Sequence, residues 1–321
     1  MSLDTLIEEL QDPSRTPVAT SLTQLSGMDD GALRRFARSF RGLSIQRRRE
    51  IIDLLTEMVE DNVELSFDPI YLLGLDDTDV QVRAQSIKAL WENESSELAR
   101  TLIAMLGDPE ALVRGEAALG LGLFLTNAEL TDREDALTGD IEDALRSLYY
   151  DESQIVEVRG RALESLGVRG KEWIADLIQE AYDSGDRRLA ISAVHAMGTS
   201  ADPQWLPSIL DQMVSEDPEM RYEAATAVGE VGEGEAIEVL APLVEDDDAE
   251  VQEAAITALG VIGGEAAKSV LQSLLSETDD DRVREAATEA LAAADFLDDP
   301  MAFKLYLEQR DADDDDSEDD E

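Results

Sequence analysis

Seven arginines, Arg34, Arg35, Arg38, Arg41, Arg47, Arg48 and Arg49, fall in the 19 residues from Gly31 to Arg49, with no Asp or Glu among them. Guanidinium forks grip carboxylates and phosphates in bidentate fashion, so this cluster is the strongest candidate for anion-binding chemistry in the chain. One reading is a patch for an acidic partner, for a nucleic-acid backbone or for the chain's own acidic tail. The other is internal: with 74 Asp and Glu in the sequence, the arginines pair with carboxylates of adjacent helices. No aromatic platform interleaved with basic residues accompanies the cluster, which argues against single-stranded nucleic acid.

The remaining reactive side chains point away from catalysis. His195 is the sole histidine, and no neighbouring motif supplies the positioned partner a general base needs. The carboxylate runs at 246–248, 279–281 and 313–316 lack the EF-hand spacing and its central Gly, so they read as caps, turns and solvated charge. The segment from Gly229 to Gly234 has a Gly-rich look but is acidic and follows a helical pattern, not a strand. There is no Cys, which excludes disulfides, thiol nucleophiles and Cys-based zinc sites. No GxSxG, HExxH or Walker sequence occurs. We therefore expect no catalytic residue, no metal ligand and no cofactor.

Of the 321 residues, 43% are hydrophobic, and the formal net charge is −48. Such a field repels phosphate backbones and disfavours nucleic acid as a partner of the whole molecule. The sequence shows no targeting segment at its start, and its longest apolar-plus-Gly run, 117–125, is far too short to span a bilayer, so a cytoplasmic protein without membrane insertion is expected. Only four of the 26 basic residues are Lys. That balance fits either an acidic surface adapted to concentrated salt or an acidic protein screened at ordinary ionic strength.

What would position these residues is a repeat. A ten-residue pattern of the form VRxxAxxALG begins at Val82, Val113, Val158, Leu189, Met220, Val251 and Val283. The spacing is 31 or 32 residues except for 45 between Val113 and Val158. Within each copy the apolar positions form one face of an α-helix. Small residues recur on that face, as in Ala193, Ala196, Ala224 and Ala227, and allow close helix approach. Gly122, Gly167, Gly198, Gly229 and Gly260 close the pattern and either end the helix or admit a packed neighbour. Asp79, Asp186, Asp217, Asp248 and Asp280 stand three residues before it, where an N-cap belongs. Shorter amphipathic runs lie between, so each unit reads as helix, turn, helix. Such a pair buries its apolar face only by stacking on its neighbours.

Asp79…Val82-Arg83, Val113-Arg114…Leu121-Gly122, Val158-Arg159…Leu166-Gly167, Asp217…Met220-Arg221…Val228-Gly229 and Val283-Arg284 resemble HEAT repeats, in particular the short phycobilisome-lyase-like type. The resemblance implies an all-α fold: a right-handed α–α superhelix, or HEAT/armadillo-like α-solenoid, of stacked antiparallel helix pairs whose second helices line a concave face. It also implies an adaptor or scaffold role. Ala190 and Gln252 replace the family Arg, so an uninterrupted Arg ladder is not expected. The expected organisation is divergent capping repeats at 1–62, a repeat solenoid at 63–294 with a loop insertion near 126–139, a capping helix at 295–310 and a disordered acidic tail at 311–321.

Helical geometry places the residues two, three, six and ten after each leading position away from the packed stripe. Six after, these are Lys88, Leu119, Glu164, His195, Thr226, Thr257 and Glu289; two or three after, they include Glu116, Arg161, Tyr222, Glu223, Glu253 and Glu285. Lys88, Glu116, Arg161, His195, Tyr222 and Glu223, together with the Arg cluster, are the candidate partner-binding residues. The resulting expectation is a non-catalytic scaffold that binds a protein or peptide along the concave face. Two alternatives stay open: a chromophore-attachment or assembly subunit resembling the E/F type of bilin lyase, and a nucleic-acid- or ribosome-associated solenoid acting through the Arg cluster.

Overall fold

The protein was analysed as a computed structural model, which describes residues 2–62, 64–232 and 234–298. Among the described residues the regular elements are all helices, and they fall into two compact units divided after Leu166. The acidic tail, and the capping helix beyond Asp298, lie outside the described residues.

The first unit contains α1 (Leu3–Gln11), α2 (Ala19–Leu22), α3 (Asp30–Phe40), α4 (Ile45–Asp61), α5 (Asp68–Gly74), α6 (Val80–Ala89), α7 (Ser96–Met105), α8 (Ala111–Leu130), α9 (Ala136–Tyr150) and α10 (Val156–Leu166). The second contains α11 (Glu172–Tyr182), α12 (Arg187–Thr199), α13 (Leu206–Gln212), α14 (Pro218–Val231), α15 (Ile237–Leu240), α16 (Ala249–Ile262), α17 (Gly264–Glu277) and α18 (Asp281–Asp298). In each unit the even-numbered helices pack on one another in series: α2, α4, α6, α8 and α10 in the first, and α12, α14, α16 and α18 in the second. Odd-numbered helices pack behind them, which is the stacked-pair arrangement of an α-solenoid.

The leading apolar residues Val82, Val113, Val158, Leu189, Met220, Val251 and Val283 are all buried, as are Ser86 and the alanines four positions on. Asp79, Asp186, Asp217 and Asp248 accept backbone N–H bonds at the starts of α6, α12, α14 and α16, which satisfies donors that the first helical turn leaves open. Glu110, with a longer side chain, makes no such cap at α8.

Glycine at the tenth position packs, and only Gly167, which stands just past the end of α10, also marks a helix end. Gly122, Gly198, Gly229 and Gly260 lie inside α8, α12, α14 and α16. A Cβ on Gly198 would stand 2.6 Å from Ala227 Cα, and one on Gly260 would stand 2.8 Å from Ala290 Cα. At Gly229 the neighbour Ala258 is further off, at 3.3 Å.

The expected loop at 126–139 is corrected by the structure. Helix α8 runs on to Leu130 because its apolar stripe continues through Leu121, Phe124, Leu125 and Ala128, all buried. Asp135 then caps α9 through the Thr138 N–H at 2.8 Å. Most of the extra residues therefore lengthen two helices, and the connection shrinks to residues 131–135.

Candidate functional site

The Arg cluster separates into two groups. Arg34, Arg35, Arg38 and Arg41 are exposed along α3 and just past its end, and Arg38 Nε donates to the Arg34 carbonyl at 3.3 Å. Arg47 and Arg48, however, are 7% and 6% exposed, which removes them from any open binding surface. Arg47 donates to the carbonyls of Asp12 and Arg15, and Arg48 forms a 2.7 Å ion pair with Asp77 and donates to the Leu43 carbonyl. Arg49 is bidentate on Asp79, the cap of α6. Arg47 thus ties α4 to the segment after α1, while Arg48 and Arg49 tie it to the turn before α6; the Arg49 guanidinium holds the Asp79 carboxyl below its ordinary value against the opposing effect of desolvation.

The same device recurs in later repeats. Arg83 is bidentate on Asp108, and Arg221 on Asp246, and each also donates to a carbonyl six residues earlier. Where the sequence has Gln252, the amide donates to the Val244 carbonyl at 2.7 Å. Next to Ala190, Arg187 reaches Asp217 and Glu219 from the start of α12. The carboxylate run at 246–248 is consumed in this scheme, since Asp246 pairs with Arg221 and Asp248 caps α16.

Along the even-numbered helices a second register emerges, in which the residue six after one leading position faces the residue three after the next. Lys88 Nζ lies 3.2 Å from Glu116 Oε1 between α6 and α8, and His195 Nδ1 lies 3.1 Å from Glu223 Oε2 between α12 and α14. Glu164, expected on the open face, is instead buried at 6% and paired with Arg161 at 2.7 Å on its own helix. Burial of its stem against the stack, with its charge met by an exposed Arg, explains the departure.

At the α14–α16 junction the corresponding residues are Thr226 and Ala254, which cannot bridge. With the wider Gly229–Ala258 spacing, this leaves an open groove of about 520 Å³. Its walls carry Tyr222, Glu230, Glu250, Glu253, Thr257 and Val261, and no basic side chain is among its lining residues. Val261 is 51% and Tyr222 37% exposed. The groove thus joins three carboxylates to an aromatic ring and an aliphatic patch, a combination suited to a basic segment whose aliphatic stems lie on Tyr222 and Val261. Of the candidate residues, Tyr222 lines this groove, Glu223 and His195 pair at the α12–α14 junction, and Lys88, Glu116 and Arg161 belong to the first unit. Glu230, Glu250 and Val261 lay outside the sequence-based set.

Among the described residues no cluster of three or more His, Asp or Glu could hold a metal ion, and no helix is long and apolar enough to cross a membrane.

Comparison with known proteins places this geometry. No curated protein matches the chain at a significant level. Among solved structures, the complex of CpcE and CpcF of phycocyanin lyase from Nostoc sp. PCC7120 aligns with TM-score 0.53 and 15% identity, covering 88% of this chain and 97% of that one. Yeast importin-β (Kap95p) aligns with TM-score 0.50 and 12% identity over 91% of this chain and 46% of its own. The Kap95:Nup1 complex gives TM-score 0.50 at 15% identity, covering 92% and 46% respectively. At these identities the likeness is one of fold. A family model of HEAT repeats matches residues 70–150 and 206–292, more than half of the sequence, and the chain belongs to the HEAT-repeat proteins.

Proposed function

We propose that the protein is a non-catalytic scaffold whose even-numbered helices bind a partner protein through a basic, extended segment laid in the α14–α16 groove. The observation that carries this reading is the groove itself, where the bridging pair is replaced by Thr226 and Ala254 and three glutamates flank Tyr222 and Val261. An acidic cleft in a chain of net charge −48 steers cationic segments toward it, and Tyr222 offers a ring for an Arg or Lys to cover. In this reading the groove's carboxylates act as charge and as hydrogen-bond acceptors for the bound segment.

The test is affinity capture from native extract with the intact chain and with a Glu230→Lys/Glu253→Lys variant. A stoichiometric protein partner held by the intact chain and lost by the variant supports the reading. Recovery of nucleic acid or a chromophore in place of a protein contradicts it, as does a partner that binds both forms alike.

A further inference from the structure

In the first unit the repeat pattern is inverted at one junction. Later repeats put Gly at the tenth position and a small side chain opposite it, as in Gly122 with Ser165, Gly198 with Ala227 and Gly260 with Ala290. The repeat that begins at Val82 has Trp91 at the tenth position, and Gly120 stands at the corresponding place on α8. An indole facing a glycine would be ordinary core packing if the ring filled the space. It does not: Trp91 is 60% exposed, and Leu123, one turn along α8 from Gly120, is 46% exposed.

Between them lies a cleft with a buried apolar floor, Ile87 at 4% and Leu102 at 2% exposed. Gly120 keeps that floor open, since a Cβ there would stand 3.0 Å from Leu102 Cδ1. The cleft's cavity is only about 30 Å³, far below the ~300 Å³ at which small-molecule sites begin. It admits the tip of one side chain entering from outside, with Trp91 and Leu123 flanking the shaft. A cofactor would not fit. Glu94 stands on the rim, its Oε1 accepting from Asn127 Nδ2 at 2.9 Å, and Glu92 is exposed nearby. No basic residue is among the lining residues.

We propose that this cleft is a docking site for a protein partner that inserts one large apolar side chain, Leu, Met or Phe, and carries a Lys or Arg beside it. Exposed Trp flanking a preformed apolar pocket is the composition of an interface anchor. The rim carboxylates set the sign of the neighbouring charge on the partner. The site is built from residues of α6, α7, α8 and the turn between α6 and α7 and does not depend on the α14–α16 groove, so the two readings fail separately.

The experiment selects a phage-displayed library of random 12-residue peptides on the full chain and titrates the enriched peptides against the parent and each variant by isothermal titration calorimetry. Expected binders carry a large apolar residue within a turn of Lys or Arg and lose about tenfold or more in affinity to Trp91→Ala and to Leu123→Glu. They should lose about threefold to Glu94→Gln, which keeps the side chain's shape and removes its charge. Both Trp91 and Leu123 are on the surface, and an unchanged Tm verifies that the variants fold. Failure to enrich any peptide, binding that ignores Trp91→Ala, or enrichment of acidic peptides would each overturn the proposal. So would self-association of the chain that Trp91→Ala abolishes, because the occupant would then be a second copy.

Discussion

Gly198 in α12 lies so close to Ala227 in α14 that a Cβ added to it would stand 2.6 Å from the Ala227 Cα, nearer than a Cβ approaches in a packed interior. Backbone, not a flexible side-chain end, is what it would strike. The repeat glycine is therefore a spacing device. In an unconstrained helix Gly→Ala gains about 1 kcal/mol, but here overpacking costs about 1–3 kcal/mol and wins. Chemical denaturation should show Gly198→Ala destabilised. Gly139→Ala in α9, where nothing lies within 4 Å, should be neutral or stabilised. Equal effects at the two sites would remove the spacing argument.

The split of the Arg cluster predicts two classes of variant. Arg48→Gln leaves Asp77 buried without its cation and removes the bond to the Leu43 carbonyl, a loss of about 3 kcal/mol. Arg34→Gln, Arg35→Gln and Arg41→Gln, at exposed positions, should each change stability by less than about 0.5 kcal/mol. Denaturant midpoints for the single variants, measured in moderate salt to screen the acidic surface, check the contrast. A destabilised Arg34→Gln alongside an unaffected Arg48→Gln would reverse the assignment.

The sequence carried the helix register well, because most repeats obey the same local rules: Asp217 and Asp248 cap, Met220 and Val251 open the buried stripe, and Ala224 and Ala255 admit a neighbour. It did not reveal which arginines are taken up in internal pairs. Arg48 and Arg49 look like Arg34 and Arg35 in composition, and their fate is decided by Asp77 and Asp79, about thirty residues away, across a stack whose register is fixed only by folding. The loop expected at 126–139 failed for a different reason. The apolar stripe from Leu121 to Ala128 was legible, but the extra residues were read as an insertion, not as two helices grown longer.

The groove was half legible. Tyr222 followed from helical phase, and the small pair Thr226 and Ala254 was visible once the six-and-three register was known. Small residues alone do not make a groove, however: Thr257 and Ala286 repeat the combination one step on, where the helices approach so closely that a Cβ on Gly260 would stand 2.8 Å from Ala290 Cα. Helix spacing at Gly229 supplied the rest, and no single residue type encodes it.

A pH dependence follows from Asp246. Its hydrogen-bonded pair with Arg221 holds the carboxyl below its ordinary value, with burial opposing. A carboxyl depressed in the folded state adds stability above its unfolded pKa, near 4, and that contribution disappears as pH falls through the folded value. Asp246→Asn, which can still accept the Asp248 N–H, should be less stable than the parent by about 2 kcal/mol at pH 7. Denaturation from pH 7 to pH 3 should show the gap constant down to about pH 5 and then shrinking. A gap that widens at low pH would contradict the sign.

The central claim, that the partner lies in the α14–α16 groove, is tested most directly by hydrogen exchange of the intact chain with and without the captured partner. The prediction is slowed exchange concentrated in α14 and α16, at residues 218–231 and 249–262, lost when Tyr222→Ala and Glu253→Lys are combined. Protection confined to α13 and α17 on the opposite row, with those two helices unchanged, would contradict it.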